Sequence, residues 1–339
     1  MDVIDFAGDA PATGDLGVRW IHGSRSSKRN TDPPIQVHRH DPHTVILRQS
    51  KAVHFEAPFL YLLFGNDRAL LLDTGATADP DSFPLRRTVD GLVEEWLEQH
   101  PRDGYELVVA HSHAHRDHIA GDPQFADRPS TVVVAPDVTA VKAMFGFADA
   151  GWPTQVLPFD LGGRVLEVTG IPGHHDTSIA IYDPWTRFLF TGDTVLPGRL
   201  YVHDFPTFVD SLERLVAFCG SRPVARVLGC HVEMKSRPGK DYPIGADHQP
   251  DESPLPMSVA RLTAVRDAAV AVADKPGTHT YDDFIIFHGP CRGALVRYTI
   301  RYGWGRVFGY GTERPANPQD QDISLVRPTG RELGTREPR

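Results

Sequence analysis

His111-Ser-His-Ala-His-Arg-Asp-His118 is the stretch on which the reading of this chain turns. Four of its residues, His113, His115, Asp117 and His118, offer imidazole or carboxylate, the donors that suit zinc and its neighbours among borderline metals. His113 and His115 stand two apart, so on an extended segment their side chains share one side. Asp117 and His118 are expected to open a helix continuing into Ile119-Ala-Gly121. One short loop can therefore feed two adjacent metal ions. Three further donors follow in the same chemical vocabulary: His174 in Pro172-Gly-His174, Asp193 in Thr191-Gly-Asp-Thr194, and His231 in Leu228-Gly-Cys-His231.

Each donor group follows a short apolar run: Leu107–Ala110, Arg164–Ile171, Arg187–Phe190 and Arg226–Leu228. Runs of this kind read as strands that end in a loop presenting the donor. Four strand ends converging on one sheet edge would build a metal site from loops fixed by a rigid scaffold.

The ordered set His113-x-His115-x-Asp117-His118, Gly173-His174, Gly192-Asp193-Thr194 and Gly229-Cys230-His231 resembles the metallo-β-lactamase superfamily, as does the earlier Leu70-Leu-Leu-Asp-Thr-Gly75. The resemblance runs over residues 44 to 235 or so. It implies an α/β fold, a four-layer αββα sandwich of two mixed β-sheets flanked by helices. It also implies a division of labour: His113, His115 and His174 on a first metal, Asp117, His118 and His231 on a second, and Asp193 bridging them. Two metals roughly 3.5–4 Å apart can share one water, lower its pKa and clamp the attacking and leaving oxygens. The implied nucleophile is a metal-bound hydroxide, with Asp117 orienting it. No Gly-x-Ser-x-Gly elbow offers an alternative nucleophile.

Other histidines and acids have plainer readings. His175 competes with its neighbour, but Gly173-His174 fits the frame better. His38, His40 and His43 lie in a polar, proline-flanked stretch and read as a solvated loop. Asp73 reads as a turn former that also supports the ligand loops. Cys230 occupies a different slot from the cysteine ligand of some relatives, so a ligand role is disfavoured. With Cys219 and Cys291 it makes three cysteines, which cannot form an even disulfide framework.

The chain has 339 residues, with Lys plus Arg at 35 against 44 Asp plus Glu, a formal charge of −9. Such a surface repels phosphate backbones, and no long basic stripe compensates. A small-molecule substrate is expected rather than nucleic acid, and self-association stays open. No run approaches the length needed to span a bilayer. The start Met1-Asp-Val-Ile-Asp-Phe has no basic region or long apolar core, so a cytoplasmic location is the expectation.

The organisation expected is an N-terminal arm of residues 1–43, a catalytic domain of 44–256, and a C-terminal unit of 257–339 whose helix and strands pack on it. Predicted elements include strands at Thr44–Arg48, Phe59–Phe64 and Ala69–Asp73, helices at Val89–Gln99, Val138–Phe145, Phe208–Phe218 and Met257–Ala273, and late strands at Asp283–His288 and Ala294–Arg301. Lys235–Pro256 is rich in Pro, Gly, Asp and Lys. A long irregular segment leaving a metal ligand is commonly functional, and its Lys235 and Tyr242 are candidate substrate contacts. The aromatics of Tyr302–Tyr310 read as tail packing.

These features predict a binuclear hydrolase with two divalent ions, zinc before iron or manganese, acting on an ester, lactone, thioester or amide. The alternatives on the same fold are an iron-dependent oxidoreductase of the thiol dioxygenase kind and a phosphodiesterase. Retention of His118 and His231 speaks against the dioxygenase, which uses chiefly the first-metal ligands.

Overall fold

Apolar residues fill both faces of the central strands, and that pattern sets the layers. In a computed structural model, which describes residues 3–8 and 14–289, the first sheet runs β1 (Ile35–Asp41), β2 (Thr44–Gln49), β3 (Phe59–Phe64), β4 (Arg68–Leu72), β5 (Glu106–Ala110) and β6 (Thr131–Val133) in that spatial order. β1 to β4 pair antiparallel, while β5 joins β4 and β6 joins β5 in parallel. Helix α1 (Leu85–Gln99) makes the crossover from β4 to β5, as a parallel connection requires. The short α2 (Arg116–Ile119) and α3 (Val138–Phe145) follow β5 and β6.

The second sheet uses β7 (Val156–Asp160), β8 (Val165–Gly170), β9 (Ile179–Asp183), β10 (Phe188–Gly192), β12 (Arg226–Gly229) and β13 (Pro256–Met257), in the order β13-β12-β10-β9-β8-β7. It too is mixed, with β10 parallel to β12 and antiparallel to β9. Between β10 and β12 the chain forms β11 (Arg199–Val202) and α4 (Phe205–Gly220); after β13 come α5 (Val259–Ala271), β14 (Gly277–Thr280) and β15 (Ile285–His288). β11, β15 and β14 form a third, small sheet.

Alternation along β3 shows how the layers are built. Phe59, Tyr61 and Leu63 enter a core shared with Leu166, Val168, Ile179, Ile181 and Phe190 of the second sheet. Leu60, Leu62 and Phe64 point the other way, onto Leu85, Val89, Val93 and Trp96 of α1. On the far side of the second sheet, Ala180, Tyr182 and Leu189 meet Phe208, Leu212 and Leu215 of α4 and Leu262 and Val265 of α5. The order helix, sheet, sheet, helix is the expected αββα sandwich, and strands buried on both faces are continuously apolar for that reason. Arg164 ties the sheets together where both are dry. It donates to Asp183 at 2.6 and 3.1 Å, to the carbonyls of His43 and Phe64, and to Thr44 Oγ1.

Several elements differ from expectation. β1 lies in the stretch expected to be an arm, and His40 and His43 are buried in its hairpin rather than solvated. His43 Nδ1 accepts the Trp96 indole proton at 3.0 Å, and burial pushes the His43 pKa down to about 4. α1 starts four residues before Val89, and β7, β11, β13 and β14 had no strong apolar signal. Residues 235–256 fold back on the body, with Tyr242, Ala246 and Leu255 buried. The expected strand Ala294–Arg301, Cys291 and the aromatics of Tyr302–Tyr310 lie outside the described residues. Among the described residues no helix is long and apolar enough to cross a membrane.

Candidate metal centre

The ends of β5, β8, β10 and β12 supply every donor group expected from the sequence. Beyond β5 the chain stays extended through His115 (φ −69°, ψ 151°) and turns helical at Arg116. His113 and His115 therefore share one side, and Asp117 and His118 the next. Two glycines bring the later loops close. Gly173, at φ +130°, leaves no room for a Cβ, which would meet the Phe208 backbone nitrogen at 2.5 Å. Gly192, at φ +52°, lies against Ser112, whose Cβ an added side chain would meet at 2.8 Å. Only glycine fits such left-handed, crowded positions without strain.

Two donor clusters result. His113 Nε2, His115 Nδ1 and His174 Nε2 lie 2.9, 3.1 and 3.2 Å from one another. Beside them, Asp117 Oδ2 and Asp193 Oδ2 stand 3.2 and 3.6 Å from His231 Nε2 and each 3.6 Å from His118 Nε2, with the two imidazole nitrogens 3.3 Å apart. A tetrahedral zinc with bonds of about 2.0–2.1 Å spaces its ligands about 3.3 Å apart. Both sets match that edge length, so both could hold a divalent ion. Asp193 Oδ1 is buried without a hydrogen-bond partner, although buried carboxylate oxygens are ordinarily satisfied. A buried, orphaned oxygen on a carboxylate of the mixed cluster suits a cation.

The far nitrogen of four of these rings is engaged, which fixes tautomer and orientation. His118 Nδ1 donates to Asp73 Oδ2 at 2.9 Å, His174 Nδ1 to the Tyr201 carbonyl at 2.6 Å, and His231 Nδ1 to the Glu56 carbonyl at 3.2 Å. His113 Nδ1 lies 3.2 Å from Ser112 Oγ, which itself donates to Asp73. Asp73 also accepts from the Ser112 amide at 2.7 Å and the Cys230 thiol at 3.2 Å. It sits at φ +69°, an uncommon conformation that places its carboxylate under the ligand loops.

The electrostatics divide in the same way. Burial and the neighbouring imidazoles hold His113 well below its ordinary pKa and His115 down to about 3. Burial also lowers His174. In the other cluster burial is overcome: Asp117 and Asp73 raise His118, and Asp193 and Asp117 raise His231 to about 9. Burial opposes ionisation of Asp117, but the His118 and His231 imidazoles hold its carboxyl far below the usual range. Asp193 is down at about 2; against burial, it feels His231 and His118 on one side and His174 on the other.

His175 stays outside the trio; its Nδ1 pairs with Thr177 Oγ1 at 2.9 Å and its ring lies 4.8 Å from that of His115. Cys230 donates to Asp73 and lies with Asp73 and His118 in a third close-set donor group behind the mixed cluster, and burial raises its thiol pKa. Lys235 and Tyr242 face each other, the ammonium 4.6 Å from the ring centre, while the Tyr242 hydroxyl accepts from the Asp251 amide at 2.6 Å. Sequence reasoning missed the carbonyls of Tyr201 and Glu56, because every residue carries one and only the fold selects which is used. It also missed His203, whose ring is 6.0 Å from that of His115.

Residues 55–231 match the family model described as the metallo-beta-lactamase superfamily. The chain belongs to that superfamily. Among its relatives, it is 28% identical to a hydroxyacylglutathione hydrolase of Rhizobium meliloti over 148 residues, 42% of this chain and 54% of that protein. It is 27% identical to an acyl-coenzyme A thioesterase of Bos taurus over 206 residues, 51% of this chain and 72% of the relative. Against the first of these, the match spans about half the relative's length. Among solved structures, a metallo-beta-lactamase from Pontibacter korlensis aligns with 70% of this chain and 99% of its own, at 16% identity and a TM-score of 0.46. Members of the superfamily act with divalent metal ions, and the two donor clusters stand where this chain would hold them.

Proposed function

We propose that this chain is a hydrolase using two divalent cations, zinc foremost, to cleave an acyl bond of a small molecule, and that the bond is a thioester. The juxtaposition of a three-imidazole cluster with an Asp-His-Asp-His cluster, Asp193 feeling both, carries the reading. His113, His115 and His174 would hold one cation, Asp117, His118 and His231 the other, and Asp193 would serve both. Cations so held supply Lewis acidity toward a carbonyl oxygen and bring the pKa of bound water toward neutrality.

The chain's own residues do the rest. Asp117, ionised beside His118 and His231, accepts a hydrogen bond from the attacking water, aims it and carries its proton to the departing sulfur. His118 and His231 are held against Asp73 and the Glu56 carbonyl, so their Nε2 atoms stay turned inward. The names of the relatives, a hydroxyacylglutathione hydrolase and an acyl-coenzyme A thioesterase, support an acyl group joined to sulfur. The catalytic unit is read as residues 44–256, with the segments before and after packed on it; the core shared by α4 and α5 and the pairing of β11 with β15 support that.

The test is thiol release. Purified chain is expected to liberate thiol from acylglutathione or acyl-coenzyme A, to stop with a chelator and to recover with zinc. Oxygen consumption with iron and no thiol release would replace hydrolysis with oxidation.

A further inference from the structure

The loop joining β2 to β3, residues 50–58, reaches the mixed cluster through a backbone atom. The Glu56 carbonyl accepts the His231 Nδ1 proton at 3.2 Å. The next residue, Ala57, is buried at φ +45° and precedes Pro58. That conformation is unfavourable for a residue with a Cβ, and more so before proline. Such strain persists only where the surroundings over-determine it.

The restraints are visible at both ends of the loop. At the far end Phe59 donates to the Cys230 carbonyl at 2.7 Å and Gln49 to the Pro58 carbonyl at 3.1 Å. At the near end Lys51 Nζ donates to the Phe55 carbonyl at 3.0 Å, one residue before Glu56. Lys51 is only 5% exposed. Enclosing an ammonium is costly unless it is engaged, and here burial lowers its pKa to about 8 against the pull of Glu252. Glu252 is itself held by Arg48 through two bonds of 2.6 Å, so it does not serve Lys51 alone. What the buried ammonium secures is the loop carbonyl.

We propose that Lys51 is a positioning residue for cation uptake at the mixed cluster: its grip on the Phe55 carbonyl fixes the loop that aims the Glu56 carbonyl at His231, keeping His231 Nε2 turned toward Asp117, His118 and Asp193. The inference rests on the two-cation reading of the site. A lysine serving only general packing would, when removed, affect both clusters alike.

Zinc titration of the full chain against a chromophoric chelator separates these cases. Lys51→Met, similar in length but unable to donate, is expected to weaken one of the two equivalents by about 10–100-fold, the usual worth of an outer partner of a ligand, with the other within about twofold and Lys51→Arg recovering most of the loss. Unchanged affinities, or equal weakening of both equivalents, overturn the proposal. Ring-nitrogen NMR of the histidine-labelled native chain needs no variant. His231 is expected to keep its proton on Nδ1 and to take zinc through Nε2; coordination through Nδ1 overturns the proposal. A native chain that takes up no zinc defeats the two-cation reading itself.

Discussion

The imidazole trio of His113, His115 and His174 and the mixed set of Asp117, His118, Asp193 and His231 lie side by side but are held by different forces. In the trio burial lowers all three pKa values, neighbouring imidazoles add to this at His113 and His115, and the facing nitrogens stand 2.9–3.2 Å apart. Three imidazole nitrogens brought this close hold more lone pairs than their own ring protons can satisfy, and a shared cation would meet them all. The mixed set balances carboxylate against imidazole, so its members can attract each other unaided. Cation binding should therefore be a condition of order in the trio, and an exchange of partners in the mixed set.

The largest effect tests the trio. His115→Ala is expected to lose one cation and to lower turnover by more than about a hundredfold, since even the outer partners of ligands are worth about 10–100-fold. Retention of two zinc ions and full turnover in that variant breaks the division of the centre. Next comes Asp117→Asn, which keeps the shape and removes the charge. Its kcat is expected to fall by about 10²–10⁴-fold with a much smaller change in KM, the signature of a lost proton-handling group. Equal rates for variant and parent would remove Asp117 from that role.

A smaller loss is expected from Asp73→Asn, which still faces His118 but no longer as an anion. Affinity should drop by about 10–100-fold at the mixed set and by less at the trio, read by zinc titration, because Asp73 touches His118 directly and reaches His113 only through Ser112. Equal weakening of the trio would show the halves to be one unit. Smallest of all is His175→Ala: the ring borders His115 without joining the trio, so both cations should remain and turnover should fall by less than about tenfold, below the worth of an outer partner. Loss of a cation there would mean that His175, not His174, completes the trio.

Side chains that carry the chemistry were legible in the sequence because their spacing is local. His113 and His115 are two apart on an extended segment, His174 and Asp193 each follow a glycine, and His231 follows Gly229-Cys230, all just beyond an apolar strand. The strands β2 to β4 were legible for the same reason, being apolar on both faces. β1 was not, because the alternation of Ile35 and Val37 with Gln36 and His38 stops at Arg39, leaving too short a pattern for an edge strand. The way the segment after His231 folds back on the body was not legible either. Its placement depends on partners remote in sequence: Arg199 of β11 pairs with Glu233 and with Asp241, and donates to the Tyr242 carbonyl at 2.5 Å. The Glu56 and Tyr201 carbonyls left no trace in the sequence, since a backbone acceptor is chosen by topology alone.

Elemental analysis of the full chain, purified without added metal and assayed for thiol release on the same sample, bears most directly on the claim that two cations sit side by side in a hydrolytic centre. Two zinc ions per chain together with thioester cleavage are expected. A single iron per chain, confined to the imidazole trio and accompanied by oxygen consumption, would contradict it.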